Sequence, residues 1–192
     1  MVSVSMTVIA IIIAVIAVSS LLFPFKKSNT DQINQKQSLL NFFERTGGKY
    51  WVNSTGWFSE SGEKLGDHCN WFGITCGNIY GQVVRIDLPN NNLTAGDFEL
   101  STLGPINSLM YISLHGNRLK GDISRIMKSV HEELQQLSIL ILTDNPGLKG
   151  KVSQETCSKN SNLGNLGNFT LRVGCNIKCK CCGHEIQCNA MN

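Results

Sequence analysis

Between Val83 and Val152 aliphatic and polar positions alternate in three short bursts, each followed at a fixed distance by an asparagine and a further aliphatic residue. They read Ile86-x-Leu88-x-x-Asn91-x-Leu93-x-x-Gly96, Ile112-x-Leu114-x-x-Asn117-x-Leu119-x-Gly121-x-Ile123 and Leu140-x-Leu142-x-x-Asn145-Pro146-Gly147-Leu148-x-Gly150-x-Val152. A period of two over a few residues predicts a short strand with one buried face. The asparagine turns the chain by hydrogen-bonding neighbouring backbone through its side-chain amide. Gly96, Gly121 and Gly150 then permit the tight backbone that closes each coil. Ile112 lies 26 positions after Ile86, and Leu140 lies 28 after Ile112. Self-similarity at that spacing marks a solenoid, in which no unit buries its apolar edge alone and about three units are the minimum for a stable stack.

The connections have patterns of their own. Ile123, Ile126 or Met127, Val130, Leu134 and Leu137 recur at helical spacing, predicting a short amphipathic helix with Lys128, Glu132 and Gln135 outward. One coil earlier Phe98, Leu100, Leu103 and Ile106 fill the same layer, but Gly104-Pro105 argues for a broken or extended path. Upstream, residues 28–48 predict a helix in which Thr30 or Asp31 caps the free amides, Ile33, Leu40 and Phe43 share a face, and Gly47-Gly48 ends the run. Downstream, Leu163, Leu166, Phe169, Leu171 and Val173 supply one last, degenerate strand.

The repeated L-x-L-x-x-N-x-L phrase resembles the leucine-rich repeat. The preceding stretch, Trp51, Gly56 and Trp57 followed by Cys69-x-Trp71-x-Gly73-Ile74-x-Cys76, resembles the plant-type N-terminal cap of that family, with its N-W-x-x-x-x-G-W and C-x-W-x-G-V-x-C phrases. The resemblance implies a bond between Cys69 and Cys76 and three tryptophans laid over the open end of the first coil. A solenoid needs such a cover to stay soluble. The tail, Cys175-x-x-x-Cys179-x-Cys181-Cys182-x-His184-x-x-x-Cys188, resembles more loosely the short repeat proteins of diatoms and related algae. The expected architecture is an α/β solenoid, a short leucine-rich-repeat stack of about three repeats plus a degenerate fourth. Its helical, Trp-rich N-terminal cap spans 28–82, the repeats 83–152, and a Cys-rich C-terminal cap 153–192.

Composition fixes the compartment more than the activity. The eight cysteines all lie outside the repeats: Cys69 and Cys76 before them, then Cys157, Cys175, Cys179, Cys181, Cys182 and Cys188. Even number and clustering predict disulfide-stapled caps in an oxidising compartment, and the six tail cysteines allow 15 pairings. Sequons at Asn53, Asn92 and Asn168 agree as candidate glycosylation sites. Residues 2–25 carry no charge and come close to the roughly 18 to 20 apolar residues that span a bilayer. Residues 1–27 are therefore expected to be a signal anchor that holds the repeats at the outer membrane face, with a cleaved signal peptide near Ala17-Val18-Ser19 and a secreted product as the alternative. Lys26 and Lys27 pull the topology the other way.

A net charge of +3 with scattered basic residues gives no case for a nucleic-acid partner. Cys179, Cys182, His184 and Cys188 are donor types that zinc takes, yet binding needs reduced thiolates. The expectation is disulfides and neither metal nor cofactor; a cytosolic zinc-binding adaptor is the alternative if the lysines set the topology. No G-x-S-x-G, H-E-x-x-H or phosphate loop occurs, and His68, His115 and His131 lie apart, so no catalytic constellation is expected. The candidate site is the concave strand face. Aligning the repeats gives the outward columns Arg85, Tyr111, Ile139, then Asp87, Ser113, Ile141, then Pro89, His115, Thr143. Tyr111 beside Ile139 and Ile141 makes an apolar patch with a polar rim, the composition of a protein contact. The resemblance implies a protein, peptide or glycan ligand and a role as recognition co-receptor or inhibitor of a secreted enzyme. A structural surface protein without specific ligand is the competing reading.

Overall fold

The computed structural model describes residues 29–59, 65–77, 81–153, 169–179 and 183–184. Residues 2–25, Cys157, Cys181, Cys182, Cys188 and the Asn168 sequon lie outside them. Among the described residues no helix is long and apolar enough to cross a membrane.

The elements in order are α1 (Asn29–Arg45), β1 (Ile74–Cys76), β2 (Val83–Asp87), β3 (Thr94–Ala95), β4 (Tyr111–Ser113), β5 (Arg118–Asp122), α2 (Ile123–Glu132), β6 (Ile139–Ile141), β7 (Gly147–Lys149), β8 (Thr170–Val173) and β9 (Gly183–His184). They build a six-stranded sheet, β1-β2-β4-β6-β8-β9, and a second sheet, β3-β5-β7. Only β1 runs antiparallel to its neighbour. The parallel register sets Ile86, Ile112, Leu140 and Leu171 side by side. With Leu88, Leu114, Leu142 and Val173 they form a core stripe that is almost wholly shielded from solvent. Each such side chain contributes about 1.5 to 3 kcal/mol on burial.

Behind that stripe, Phe98, Leu100, Leu103 and Ile106 are all buried, and the Gly104-Pro105 segment follows a single 3-10 turn, Ser101–Leu103. One coil later α2 buries Ile123, Ile126, Met127 and Val130, with Leu134 and Leu137 below it, and leaves Lys128, Glu132 and Gln135 exposed. Asp122 caps α2: its Oδ1 accepts from the Ser124 amide at 2.8 Å, and that bond holds the Asp122 carboxyl below its ordinary range.

The asparagines do more than turn the chain locally. Asn117 Oδ1 accepts from the Asn91 and Leu93 amides of the preceding coil, while its Nδ2 donates to the Leu88 and Leu114 carbonyls. Asn145 repeats this one coil on, accepting from Leu119 and donating to Leu114 and Leu142. These buried amides form a ladder that satisfies backbone groups no strand reaches. Asn91, with no repeat before it, clasps the backbone of Asn53 instead, accepting from its amide at 2.7 Å and donating to its carbonyl at 2.9 Å.

Two expectations need correction, and a third reaches beyond the described residues. Ile33 is 66% exposed; α1 presents Gln35, Ser38, Leu39, Phe42 and Phe43 to the core, with Leu40 partly buried against it and Thr46 buried just beyond the helix. The rotation follows from Gln35, whose Oε1 accepts the amide of Val83 at 2.9 Å and so fixes which side of α1 meets the sheet. Gly121 and Gly150 do take positive φ, 138° and 108°, but Gly96 does not and has open space around it, so nothing there requires glycine. Of the last predicted strand, Leu163 and Leu166 lie outside the described residues, while Leu171 and Val173 stand in β8, whose phrase is Leu171-x-Val173-x-x-Asn176: Asn176 Nδ2 donates to the Leu148 carbonyl, extending the ladder by a rung the alternation alone did not predict.

Candidate functional site: the outer strand face

The residues that alternate with the core stripe emerge on the opposite side of the six-stranded sheet. The columns are Arg85, Tyr111, Ile139, Thr170 and Asp87, Ser113, Ile141, Arg172. Thr170 and Arg172 belong to this face, a membership legible only once the Leu171 to Asn176 phrase is recognised.

The columns are not a bare apolar patch. The Arg85 guanidinium carbon lies 3.6 Å from the centroid of the Tyr111 ring, and the same guanidinium is hydrogen-bonded to the Asp87 carboxylate. That hydrogen bond is the main reason the Arg85 pKa is raised. A cation on an aromatic face contributes about 0.5 to 1 kcal/mol at an exposed site, and it locks Tyr111 against the sheet. Ile139 and Ile141 are half-buried beside this cluster. Ser113 at 5% and Thr143 at 7% exposure are buried, so these two hydroxyls lie beneath the surface of the face. Thr143 Oγ1 is instead 2.8 Å from His115 Nδ1, and His115 Nε2 is 3.5 Å from the exposed Asp144 carboxylate. At the far end Arg172 is exposed and makes no ion pair with a described residue. The face thus runs from a self-neutralised Arg85, Tyr111 and Asp87 group, over two isoleucines, to Arg172, which has no ion-pair partner among the described residues, with a histidine at its rim.

The cap packs beside this face. Trp51, Trp57 and Trp71 are buried, with ring centroids 5.0 Å apart between Trp51 and Trp57 and again between Trp57 and Trp71, and Phe43 stacks on Trp57 at 5.9 Å. Cys69 and Cys76 are bonded to each other. With His68 they bring three ligand-type atoms within 4.8 Å, but sulfurs joined in a disulfide offer no thiolate. The zinc alternative in the tail meets the same obstacle at Cys179, which, like Cys175, is disulfide-bonded. A cleft of about 540 Å³ lies on the cap, lined by Leu40, Phe43, Tyr50, Trp57 and Phe58. Of the two described sequons, Asn92 donates through Nδ2 to the Tyr50 carbonyl at 2.8 Å. Asn53 uses its Oδ1 to accept from the Thr55 amide at 3.0 Å.

The stacked coils, parallel outer strands and asparagine ladder define a leucine-rich-repeat fold, and the comparisons with known proteins agree. Over 88 residues, 46% of the chain, the sequence is 33% identical to a putative leucine-rich repeat receptor-like serine/threonine-protein kinase of Arabidopsis thaliana. The chain covers 8% of that protein's length. The ectodomain of the Arabidopsis receptor kinase HAESA, crystallised with an N-terminally extended IDA peptide hormone, superposes with a TM-score of 0.53 at 23% identity, covering 76% of this chain and 22% of that one. The BIR2 ectodomain of Arabidopsis thaliana gives 0.50 at 20% identity, covering 76% and 81%. No family model matches the chain.

Proposed function

We propose that this protein is an extracytoplasmic recognition module, a short stack of three repeats with an incomplete fourth closed by two caps, and that its outer strand face binds an extended peptide or a protein segment. The observation that carries the reading is the set of residues on that face. Ile139 and Ile141 stand half-exposed between the Arg85, Tyr111 and Asp87 group and Arg172, which forms no ion pair with a described residue. Half-buried aliphatics flanked by an aromatic and an arginine are the composition of an interface centre. The HAESA ectodomain, similar in fold, was crystallised with a peptide hormone. The caps favour delivery across a membrane, since disulfides persist in oxidising compartments. On this reading residues 2–25 are the anchor or signal, and Asn53 is the better placed of the two described glycan acceptors because its Nδ2 holds no protein partner among the described residues. The protein acts by binding, and any signal passes through a partner.

The test is selection of peptides from a random displayed library on the folded protein, followed by affinities for the native chain and for Tyr111→Ala with Ile139→Asp. Enriched sequences should bind the native protein and lose at least about tenfold on the variant, as loss of an interface centre does. A library that yields no enriched sequence, or peptides that bind both proteins equally, favours the competing reading of a surface scaffold without specific ligand.

A further inference from the structure

The second sheet carries a feature that the outer-face reading does not use. Its solvent side is lined by Arg118 and Lys120 of β5, Lys149 of β7, and Lys151 and Lys178 immediately beyond, all exposed. Register places them together. Lys120 is opposite Gly147, over which its side chain leans, Asp122 is opposite Lys149, and Lys151 is paired with Lys178 in a parallel bridge. Strands stand about 4.8 Å apart and alternate residues about 6.6 Å apart, so successive cations fall within one Debye length of each other at about 0.1 M salt.

None of the five makes an ion pair with a described residue, and the Asp122 carboxylate is the one acidic group that register sets among them. Like charges placed directly across a ladder destabilise a sheet. The Lys151 and Lys178 pair is therefore a cost to folding that a bound anion would remove. We infer that this basic face binds a linear acidic polysaccharide, whose charges recur about once per sugar along an extended chain and can meet the cations in succession.

The chemistry separates this partner from other polyanions. Four of the five cations are lysines, point charges that suit a flexible chain, whereas planar bidentate recognition of phosphate favours arginine. Single-stranded nucleic acid is held by aromatic stacking, and among the described residues none of the large exposed apolar side chains, Ile33, Tyr50, Val52, Phe58, Phe72 or Met110, belongs to the second sheet. Among the described residues this face therefore also lacks the apolar anchors that accompany cations on a lipid-binding surface. The choice of polysaccharide uses the extracytoplasmic placement proposed above; the existence of the basic face does not.

The experiment measures binding of the full chain to sodium alginate, with neutral dextran as the uncharged control and phosphatidylcholine vesicles carrying phosphatidylserine as the lipid arm. It compares the native protein with Lys120→Gln/Lys149→Gln/Lys151→Gln and with Arg45→Gln/Lys49→Gln/Lys128→Gln, which removes equal charge elsewhere. All six positions are exposed. Melting curves confirm that both variants fold, and single replacements substitute for any triple that does not. The native protein should bind alginate and not dextran. The first variant should lose about tenfold or more in affinity and show a shallower salt dependence, while the second stays within about twofold of native. Equal loss in both triples, no loss in the first, or stronger binding to the vesicles than to alginate overturns the inference. Peptide selection on the outer face is read separately, so either proposal can fail without the other.

Discussion

The two ends of this solenoid solve one problem by different means. At the N-terminal end the exposed edge of the first coil is covered by aromatic mass: Phe42, Phe43, Trp51, Trp57 and Trp71 interlock over it, with Gln35 tying the helix to β2 and Asn91 tying the Asn53 loop to the first coil. At the C-terminal end the repeat itself is continued in smaller residues. Leu171, Val173 and Ile177 are buried, Asn176 adds a single ladder bond, and the Lys178 backbone bonds to Gly150 and Val152. Cys175 and Cys179 in this segment are disulfide-bonded. The lesson is that an edge can be closed by packing, which fails if one large ring is removed, or by extension with covalent pins, which fails if the pins are reduced.

The sharpest way to break the contrast is Trp57→Ala. Trp57 is 1% exposed, touches Phe43, Trp51 and Trp71, and donates through Nε1 to the Phe72 carbonyl at 2.9 Å. Its loss should cost about 3 to 5 kcal/mol, comparable with the whole stability of a small domain. Ile177→Val at the other end removes one methylene and should cost about 0.5 to 1.5 kcal/mol. Urea titrations decide it; equal losses would mean that the tryptophan cluster is an ornament on a stack that stands without it.

Next in size is the ladder. Asn117→Ala leaves the Asn91 and Leu93 amides without their acceptor inside the core, and at about 1 to 3 kcal/mol per unsatisfied group the cost is about 3 kcal/mol. Asn176→Ala, at an exposed position with one bond, should cost about 1 kcal/mol or less. Should the two substitutions prove equal by denaturant midpoint, the interior rungs satisfy no more than the terminal one.

The staple is expected to contribute less than the ring it holds. Cys69 and Cys76 close a loop of about eight residues, for which the chain-entropy model gives about 2.5 kcal/mol. Trp71 lies between them and packs on Trp57. Replacing both cysteines with serine should therefore cost no more than Trp71→Ala. The combination should be strongly non-additive, because both act on one element. Additive melting shifts would show that bond and indole work separately.

What the sequence made legible and what it hid divide along the same physical line. Period-two alternation placed the strands and, by simple alignment, the outward columns Arg85, Tyr111, Ile139 and Asp87, Ser113, Ile141, because a parallel stack repeats its register from coil to coil. It did not show that Arg85 lies on the Tyr111 ring or that Ser113 is buried, since both depend on how long neighbours lean across a column. On α1 the helical spacing placed Phe43 and Leu40 correctly but misplaced Ile33, for a longer-range reason: Gln35 is drawn inward by a strand amide 48 residues away, which no helical periodicity contains. Thr170 and Arg172 were overlooked because Leu171 follows Leu140 by 31 positions, beyond the spacing of the earlier coils.

The smallest expected effect sharpens the contrast by pH. His68 is buried within the N-terminal cap, its ring 6.2 Å from that of Trp71, and its Nε2 has no hydrogen-bond partner among the described residues. Burial lowers its pKa below 6.5, opposed by Asp67, whose carboxylate oxygen is 3.9 Å from His68 Nδ1, and by the Gly81 backbone, and helped weakly by the nearby Lys36 ammonium. The unfolded chain accepts a proton on this residue as pH falls through about 6.5, while the folded cap accepts it only at lower pH. Between those two points the unfolded state binds more protons, so stability is complete above the unfolded value and declines as pH drops toward the folded one. No comparable buried histidine is described at the C-terminal end, so acid should loosen the aromatic closure first. His68→Phe keeps the ring and removes the titration. Urea titrations of native and variant protein from about pH 7.5 to about pH 5 should therefore give a native stability that falls more steeply with acid. If the variant falls just as steeply, carboxylates elsewhere set the acid response, and the cap is no weaker toward protons than the pinned end.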